Sequence, residues 1–384
     1  MSISAAVIGT GFIGPVHIEA LRRIGIEVRG ILGSSPEKSM AASQAHCVPK
    51  AYKNFEELID DASVDVVHIT SPNQAHFDQA SRALKAGKHV LCEKPLAMNS
   101  EQSSKLVEIA SQCGLAAAVN YNIRYYPLCL EAAEQRRRGD LGTVNHVSGS
   151  YVQDWLFHEH DFNWRVLSSE SGPLRAVADI GTHWLDLIHA VTGLEVEQVM
   201  ADLHTVFPDR LRPVGNVETF SGKTERNATA SESVSIDTED TGSVLIRFKG
   251  GARGVMWVSQ ITAGRKNCLR WEIAGSQKSL SWNSEAPNEL WAGHRDRANE
   301  ILTRDPALLS ERARRFANYP GGHNEGFPDT FKQLCRDFYN SIADESFASN
   351  PTFPTFLDGH REIVICEAIL KSAQTEQWVA VEPL

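Results

Sequence analysis

Ala5-Ala6-Val7-Ile8-Gly9-Thr10-Gly11-Phe12-Ile13-Gly14 decides how the first third of this 384-residue chain is read. Ala5 to Ile8 is a short apolar run of the kind that forms a buried strand, and Phe12 to Arg23 continues with helical spacing. Between them, Gly9, Gly11 and Gly14 fit the pattern G-x-G-x-x-G. The first glycine permits a tight turn, the second lets backbone approach a pyrophosphate, and the third lets helix and strand pack closely. The helix that follows, beginning with Phe12 and Ile13, points unpaired N–H groups and a positive dipole end at the phosphates. The spacing therefore predicts a dinucleotide site.

Outward from this stretch the same grammar repeats. Glu27 to Leu32, Val64 to Ile69, His89 to Cys92 and Ala116 to Val119 read as strands, separated by helical patterns such as Ala75 to Ala86 and Leu106 to Cys113. Near-continuous apolar strands alternating with helices indicate a parallel sheet covered on both faces. From about Arg124 the pattern changes. Val144 to Tyr151, Val199 to Val206, Ser243 to Phe248, Gly254 to Gln260, Leu269 to Ala274 and Lys278 to Trp282 look like strands without regular helices between them. The expected fold is α/β: an N-terminal Rossmann domain over residues 1–123, then an α+β domain over 124–384 with a large, mostly antiparallel sheet. Glu218 to Gly242, rich in Ser, Thr and acidic residues, is expected to begin as a mobile loop.

The end of the second strand should select the cofactor, because a carboxylate there would hydrogen-bond the ribose 2′-OH. Gly33-Ser34-Ser35-Pro36-Glu37-Lys38 has no acidic residue at that point and no arginine to clamp a 2′-phosphate. Ser34 and Ser35 suit a hydroxyl or a phosphate, so NAD is expected and NADP stays open.

Two motifs follow at carboxyl ends of strands, where open α/β sheets bind ligands: Thr70-Ser71-Pro72-Asn73-Gln74-Ala75-His76 and Glu93-Lys94-Pro95. With the glycine loop and the strand order, they resemble the glucose–fructose oxidoreductase/inositol dehydrogenase (Gfo/Idh/MocA) family. The resemblance implies that Lys94 lies beside the nicotinamide and substrate, with Ser71, Pro72, Asn73, His76 and Glu93 around the cofactor. Asn120 to Pro127 looks like the family's hinge, in which Asn122 and Arg124 match and Ile123 replaces the usual arginine. It implies Asn122 at the cofactor and Arg124 at the substrate. Ala178 to Asp186 resembles the Asp-x-Gly-x-His-x-x-Asp helix, and Pro354 to His360 is also similar to the family.

The residues of that helix make a separate case. Ile180, Trp184, Leu187, Ile188 and Val191 form an apolar stripe at helical spacing, while Asp179 and His183, four apart, should lie together on a neighbouring face. Oxidising an alcohol requires a group to take the hydroxyl proton as hydride leaves, which suits histidine. Asp179 is expected to orient His183 or the substrate, and Lys94 to stabilise negative charge on oxygen. Asp154 and Trp155, with Trp164 and Arg165, combine groups suited to stacking on and hydrogen-bonding a sugar. A similar pair of segments occurs in family members acting on pyranoses such as levoglucosan. The turn Gly321 to Gly326 is a further candidate for bringing His323 to the site.

Composition narrows the alternatives. A net charge of −10 disfavours nucleic acid and anionic membranes as partners. No apolar run approaches the ~18 residues of a membrane span, and the N-terminus has no basic, cleavable leader pattern. Seven scattered cysteines without a C-x-x-C pair fit reduced thiols in a cytoplasmic protein. His158-Glu159-His160-Asp161 lacks zinc-motif spacing, so no metal is expected. The reading is an NAD(P)-dependent dehydrogenase acting on a secondary hydroxyl of a sugar, sugar derivative or inositol, as a homo-oligomer (dimer or tetramer). A redox-neutral, NAD-retaining glycosidase is the rival, and a non-catalytic dinucleotide sensor a third possibility. Direction and stereochemistry stay open.

Overall fold

The computed structural model describes residues 3–213 and 231–384. Six strands form the first sheet: β1 Ser4–Ile8, β2 Glu27–Leu32, β3 Lys50–Ala51, β4 Val66–Ile69, β5 His89–Cys92 and β6 Ala117–Val119. They pair in the order β3-β2-β1-β4-β5-β6, all parallel, with Val7 opposite Ile31 on one side and His68 on the other. Strand order reverses between β1 and β4, so the glycine turn after β1 and the Thr70 turn after β4 face each other across the crevice where such sheets bind ligands. All five residues of β1 are buried, as its apolar run requires.

Helix Ile13–Arg23 lies on one face of this sheet, and helix Phe327–Ala343, from far along the chain, packs beside it. Phe331, Leu334 and Phe338 thereby share a core with Val7, Ile18 and Leu21. On the other face, helix Phe356–Thr375 packs against helix Ser100–Cys113. Chain beyond residue 124 thus returns to cover both faces of the nucleotide sheet.

The second sheet has nine strands. In chain order they are β7 Val144–Val152, β8 Val196–His204, β11 Thr241–Phe248, β12 Arg253–Ser259, β13 Cys268–Gly275, β14 Ser279–Asn283, β15 Glu289–Gly293, β16 Glu300–Thr303 and β17 Val379–Ala380, with β9 Asp209–Pro213 and β10 Ser231–Ser235 forming a separate ribbon. The order is β16-β15-β14-β13-β7-β12-β11-β8-β17, and every pair is antiparallel except β7 with β12. The beginning of the expected mobile loop, Glu218 to residue 230, lies outside the described residues; beyond it, Ser231–Ser235 is strand.

One face of this sheet carries helices Pro127–Arg137 and Thr182–Thr192. The stripe Ile180, Trp184, Leu187, Ile188 and Val191 is buried as its spacing predicts. Trp184 is fully buried, and its Nε1–H donates to the Arg270 carbonyl at 3.1 Å. Truncating a buried aromatic of this size costs about 3–5 kcal/mol, so Trp184 fastens the site-bearing helix to β13. No helix among the described residues is long and apolar enough to cross a membrane.

Candidate active site

The glycine turn is shaped for backbone contact. Gly9 has φ +110°, and a Cβ there would lie 2.3 Å from Thr70 Oγ1; a Cβ on Gly14 would lie 2.1 Å from the Gly9 carbonyl oxygen. At Gly11, by contrast, a Cβ would meet no protein atom within 4 Å. Two glycines are therefore required by the fold, and the third leaves open space beside the helix N-terminus, the arrangement a pyrophosphate needs. Phe12 is half exposed at this helix start.

The Thr70 and Glu93 turns are tied together by His76. Its Nδ1 lies 2.8 Å from the Pro95 carbonyl oxygen and its Nε2 2.9 Å from that of Ser71, in full burial. Burial pushes the His76 pKa down. The Ser71 hydroxyl donates to Gln79 Oε1 at 2.6 Å, and Asn73 Nδ2 to the Ser171 carbonyl at 3.0 Å, so both brace the loop. At the second strand end Ser35 caps helix Pro36–Ala45, accepting from the Lys38 backbone N–H, while Ser34 stays exposed.

Lys94, on the turn after β5, reaches across to the second domain. Its Nζ donates to Asp179 Oδ1 at 2.8 Å and to the Asp179 carbonyl at 2.7 Å. Asp179 Oδ2 accepts from Gln260 Nε2 at 2.8 Å, and Arg165 Nε lies 3.6 Å from Oδ1. Burial works against the Asp179 charge, yet the Lys94 and Arg165 charges outweigh it and hold the carboxyl down to about 2. His183 is buried close by, its ring 5.6 Å from Tyr121 and 6.1 Å from Tyr151. Burial, helped by the Lys94 charge, lowers its pKa to about 3. The site therefore brings an ammonium, an ionised carboxylate and a neutral imidazole within electrostatic reach of one another.

Asp179 does not orient His183 by a direct hydrogen bond. Val177–Gly181 is a π-helical turn, and the α-helix starts only at Thr182. The wider i→i+5 turn takes Asp179 off the register of an α-helical i,i+4 pair, so its oxygens serve Lys94 and Gln260. His183 Nδ1 is buried without a protein partner.

Behind Gln260 stands a buried ion cluster that sequence patterns did not reveal. Arg175 and Arg210, both fully buried, converge on Asp240 Oδ1, with Arg210 Nη2 at 2.6 Å. The neighbouring Glu239 accepts the backbone N–H groups of Arg175 and Val177, fixing the start of the π-turn. Breaking such a buried pair costs about 3–5 kcal/mol, enough to hold the turn in place.

Other expected positions fall elsewhere. Arg124 was expected at the substrate, but it is bound by two carboxylates: its Nε donates to Asp186 Oδ2 at 2.7 Å and its Nη2 to Asp358 Oδ1 at 3.0 Å. It is a half-buried clamp between helices. Asn122 was expected at the cofactor, but its Nδ2 donates to Thr330 Oγ1 at 2.7 Å. Asn120 is the asparagine at the Glu93–Pro95 loop, donating to Glu93 Oε1. Asp154 is spent on Lys266, at 2.6 Å, and on the Gly264 N–H. His323 is exposed, with Nδ1 3.4 Å from the Gly321 carbonyl, in a turn held by Arg304 rather than by the Lys94 cluster.

Of the aromatic segments, the one at Trp164 and Arg165 reaches Asp179. Arg165 stacks on Trp164 at 4.5 Å while approaching Asp179. Trp155 Nε1–H donates to Gln153 Oε1 at 2.9 Å, and Gln153 and the Tyr151 hydroxyl both donate to Asn267 Oδ1 at 2.7 Å. Tyr151 joins this network to the His183 ring, 6.1 Å away.

Residues 3–121 match the sequence pattern of the GFO/IDH/MocA oxidoreductase family with an NAD-binding Rossmann fold, and residues 129–281 match the GFO/IDH/MocA C-terminal domain. The chain is 28% identical to levoglucosan dehydrogenase of Pseudarthrobacter phenanthrenivorans over 99% of its own length and 98% of that protein. It is 29% identical to myo-inositol 2-dehydrogenase of Thermotoga maritima, covering 98% of each. A structure of levoglucosan dehydrogenase with NADH and L-sorbose superposes with a TM-score of 0.88 at 28% identity, covering 100% of this chain and 99% of the other. Another holds NADH and levoglucosan, with the same TM-score and identity and full coverage of both chains.

Proposed function

Because the chain belongs to the GFO/IDH/MocA family of NAD-binding oxidoreductases, we propose that it oxidises a secondary hydroxyl of a cyclic carbohydrate, with pyranoses of the anhydro-sugar kind as the leading class. The observation that carries this is the contact of Lys94 with Asp179 at 2.8 Å beside a neutral His183. The Gly9–Gly14 turn and the Ser71 and Glu93 loops would hold NAD, which would supply the hydride acceptor.

The remaining work falls to the chain itself. Lys94 donates to the substrate oxygen and stabilises the negative charge that grows there as the C–H bond weakens. His183 takes the hydroxyl proton; because its pKa is low it is already unprotonated when substrate arrives. Asp179 aims the Lys94 ammonium, and Gln260 aims Asp179. Trp164, Trp155 and Arg165 supply stacking and hydrogen bonds for a sugar ring. The exposed face of the nine-stranded sheet, with Leu245, Trp257 and Ile301, is the surface on which we place a homo-oligomeric contact.

Purified protein with NAD, presented with pyranosides, free sugars and inositols, is expected to form NADH most efficiently with a pyranose. Aglycone release without NADH would instead identify a redox-neutral glycosidase.

A further inference from the structure

A chain of buried polar groups leads away from the catalytic loop through the first sheet. Glu93 Oε1 lies 3.1 Å from His17 Nε2, His17 Nδ1 lies 2.8 Å from His68 Nδ1, and His68 Nε2 lies 3.0 Å from the Tyr339 hydroxyl. Both histidines are fully buried, and Glu93 and Tyr339 nearly so. Each group comes from a different element: helix Ile13–Arg23, β4, the loop after β5 and helix Phe327–Ala343. A buried polar chain of this length persists only if its members satisfy one another.

The direction of its first link is fixed by chemistry. An ionised carboxylate only accepts, so His17 Nε2–H donates to Glu93. The His17 ring is pinned edge-on by His68 at 5.1 Å and by Phe331 at 5.5 Å, which hold its orientation. Glu93 in turn accepts the Lys94 backbone N–H at 3.2 Å through Oε2. His17 stands one turn into the helix whose amino end faces the dinucleotide, and Glu93 adjoins the lysine that meets Asp179.

We propose that His17 is a positioning residue that locks the loop carrying Lys94 to the dinucleotide-binding helix through Glu93. It touches neither substrate nor cofactor. The proposal rests on the reading of Lys94 as the catalytic group. Small displacements of such groups are expensive: a shift of ~1 Å can cost ~10²-fold in rate.

Two variants separate positioning from mere filling of the core. In His17→Gln the side-chain amide reaches the Nε2 position and can still donate to Glu93. In His17→Asn the shorter side chain reaches only the Nδ1 position, so it meets His68 and abandons Glu93. Turnover, NADH affinity by fluorescence titration, thermal midpoint and a crystal structure are measured for both. His17→Gln should keep turnover within about tenfold of wild type, whereas His17→Asn should lose about 10²-fold in kcat with NADH affinity nearly unchanged. In the crystals, the Lys94–Asp179 contact should persist in the first and the Glu93–Pro95 loop should shift in the second. Equal kinetic losses in the two variants, or an unmoved loop in His17→Asn, overturn the proposal. Should His17→Asn fail to fold, a folded Gln variant that keeps its amide–Glu93 contact yet loses turnover, or loses that contact yet keeps turnover, overturns it equally. If wild type itself oxidises no carbohydrate, the dehydrogenase reading fails, while the loop positions still decide the role of His17.

Discussion

Replacing Lys94 by alanine removes the ammonium that lies 2.8 Å from Asp179 Oδ1 and is largely shielded from solvent. Loss of one positioned donor to a developing oxyanion costs about 3–4 kcal/mol, or roughly 10²–10³-fold in turnover. The structure predicts a second consequence. The Lys94 charge is among the causes that depress both His183 and Asp179. Without it both pKa values rise, so protonation of His183 begins at higher pH and the acid limb of the rate profile moves towards neutrality. Asp179 keeps Gln260 and Arg165 as partners, so the stability loss should lie at the low end of the ~3–5 kcal/mol typical of a broken buried pair. The assay is steady-state NADH formation across pH, paired with fluorescence titration of NADH. Reduced turnover, a displaced acid limb and near-normal NADH affinity are expected. Near-normal turnover, or a collapse of NADH affinity with an unmoved pH profile, would refute the assignment of Lys94 to the reacting oxygen.

Four further outcomes follow. His183→Ala should lose roughly 10²–10⁴-fold in turnover, and because the native pKa is about 3, wild-type activity should show no acid limb near 6.5; a limb there that disappears in His183→Ala would contradict the neutral-base role. The same depressed pKa means that the unfolded chain takes up a proton the folded one refuses, so stability should fall as pH drops from about 6.5 towards 3. At pH 5 this group alone contributes a loss of about 2 kcal/mol, measurable by urea unfolding at several pH values. Gly11→Val should abolish dinucleotide binding in a folded protein, since its side chain would enter the open space beside the turn; calorimetry on the wild type should also show tighter binding of NAD than NADP, because Gly33–Lys38 offers one lysine and no arginine to a 2′-phosphate.

Five of the six strands of the nucleotide sheet were legible because most of their residues are apolar and buried, whereas the two-residue, half-exposed Lys50–Ala51 was not. The short strands Glu289–Gly293 and, at the sheet edge, Glu300–Thr303 were not: in the first the outward Trp291 between Leu290 and Ala292 hides the alternation, and in the second every residue is at least partly exposed. Lys94, Asp179 and His183 were nameable from local motifs, whereas the partners that define their roles lie far away in sequence. Gln260 meets Asp179 across 81 positions, and Arg124 meets Asp358 across 234. A motif can single out Arg124, but not the two carboxylates that remove it from the substrate. The π-turn likewise has no local signature that distinguishes it from an α-helical start. One signal was present and unread: His17 and His68 each interrupt an apolar run that is buried in the fold, and a buried imidazole requires a partner.

On the proposed function, hydride passes from the carbinol carbon directly to NAD while His183 takes the hydroxyl proton and Lys94 stabilises the oxygen. The most direct measurement uses the best substrate of the carbohydrate panel, deuterated at the carbon bearing the reacting hydroxyl. The account predicts that each NADH formed carries one deuterium, in step with one ketone product. Product formed without accumulating NADH, with the deuterium returned to the sugar, would contradict it.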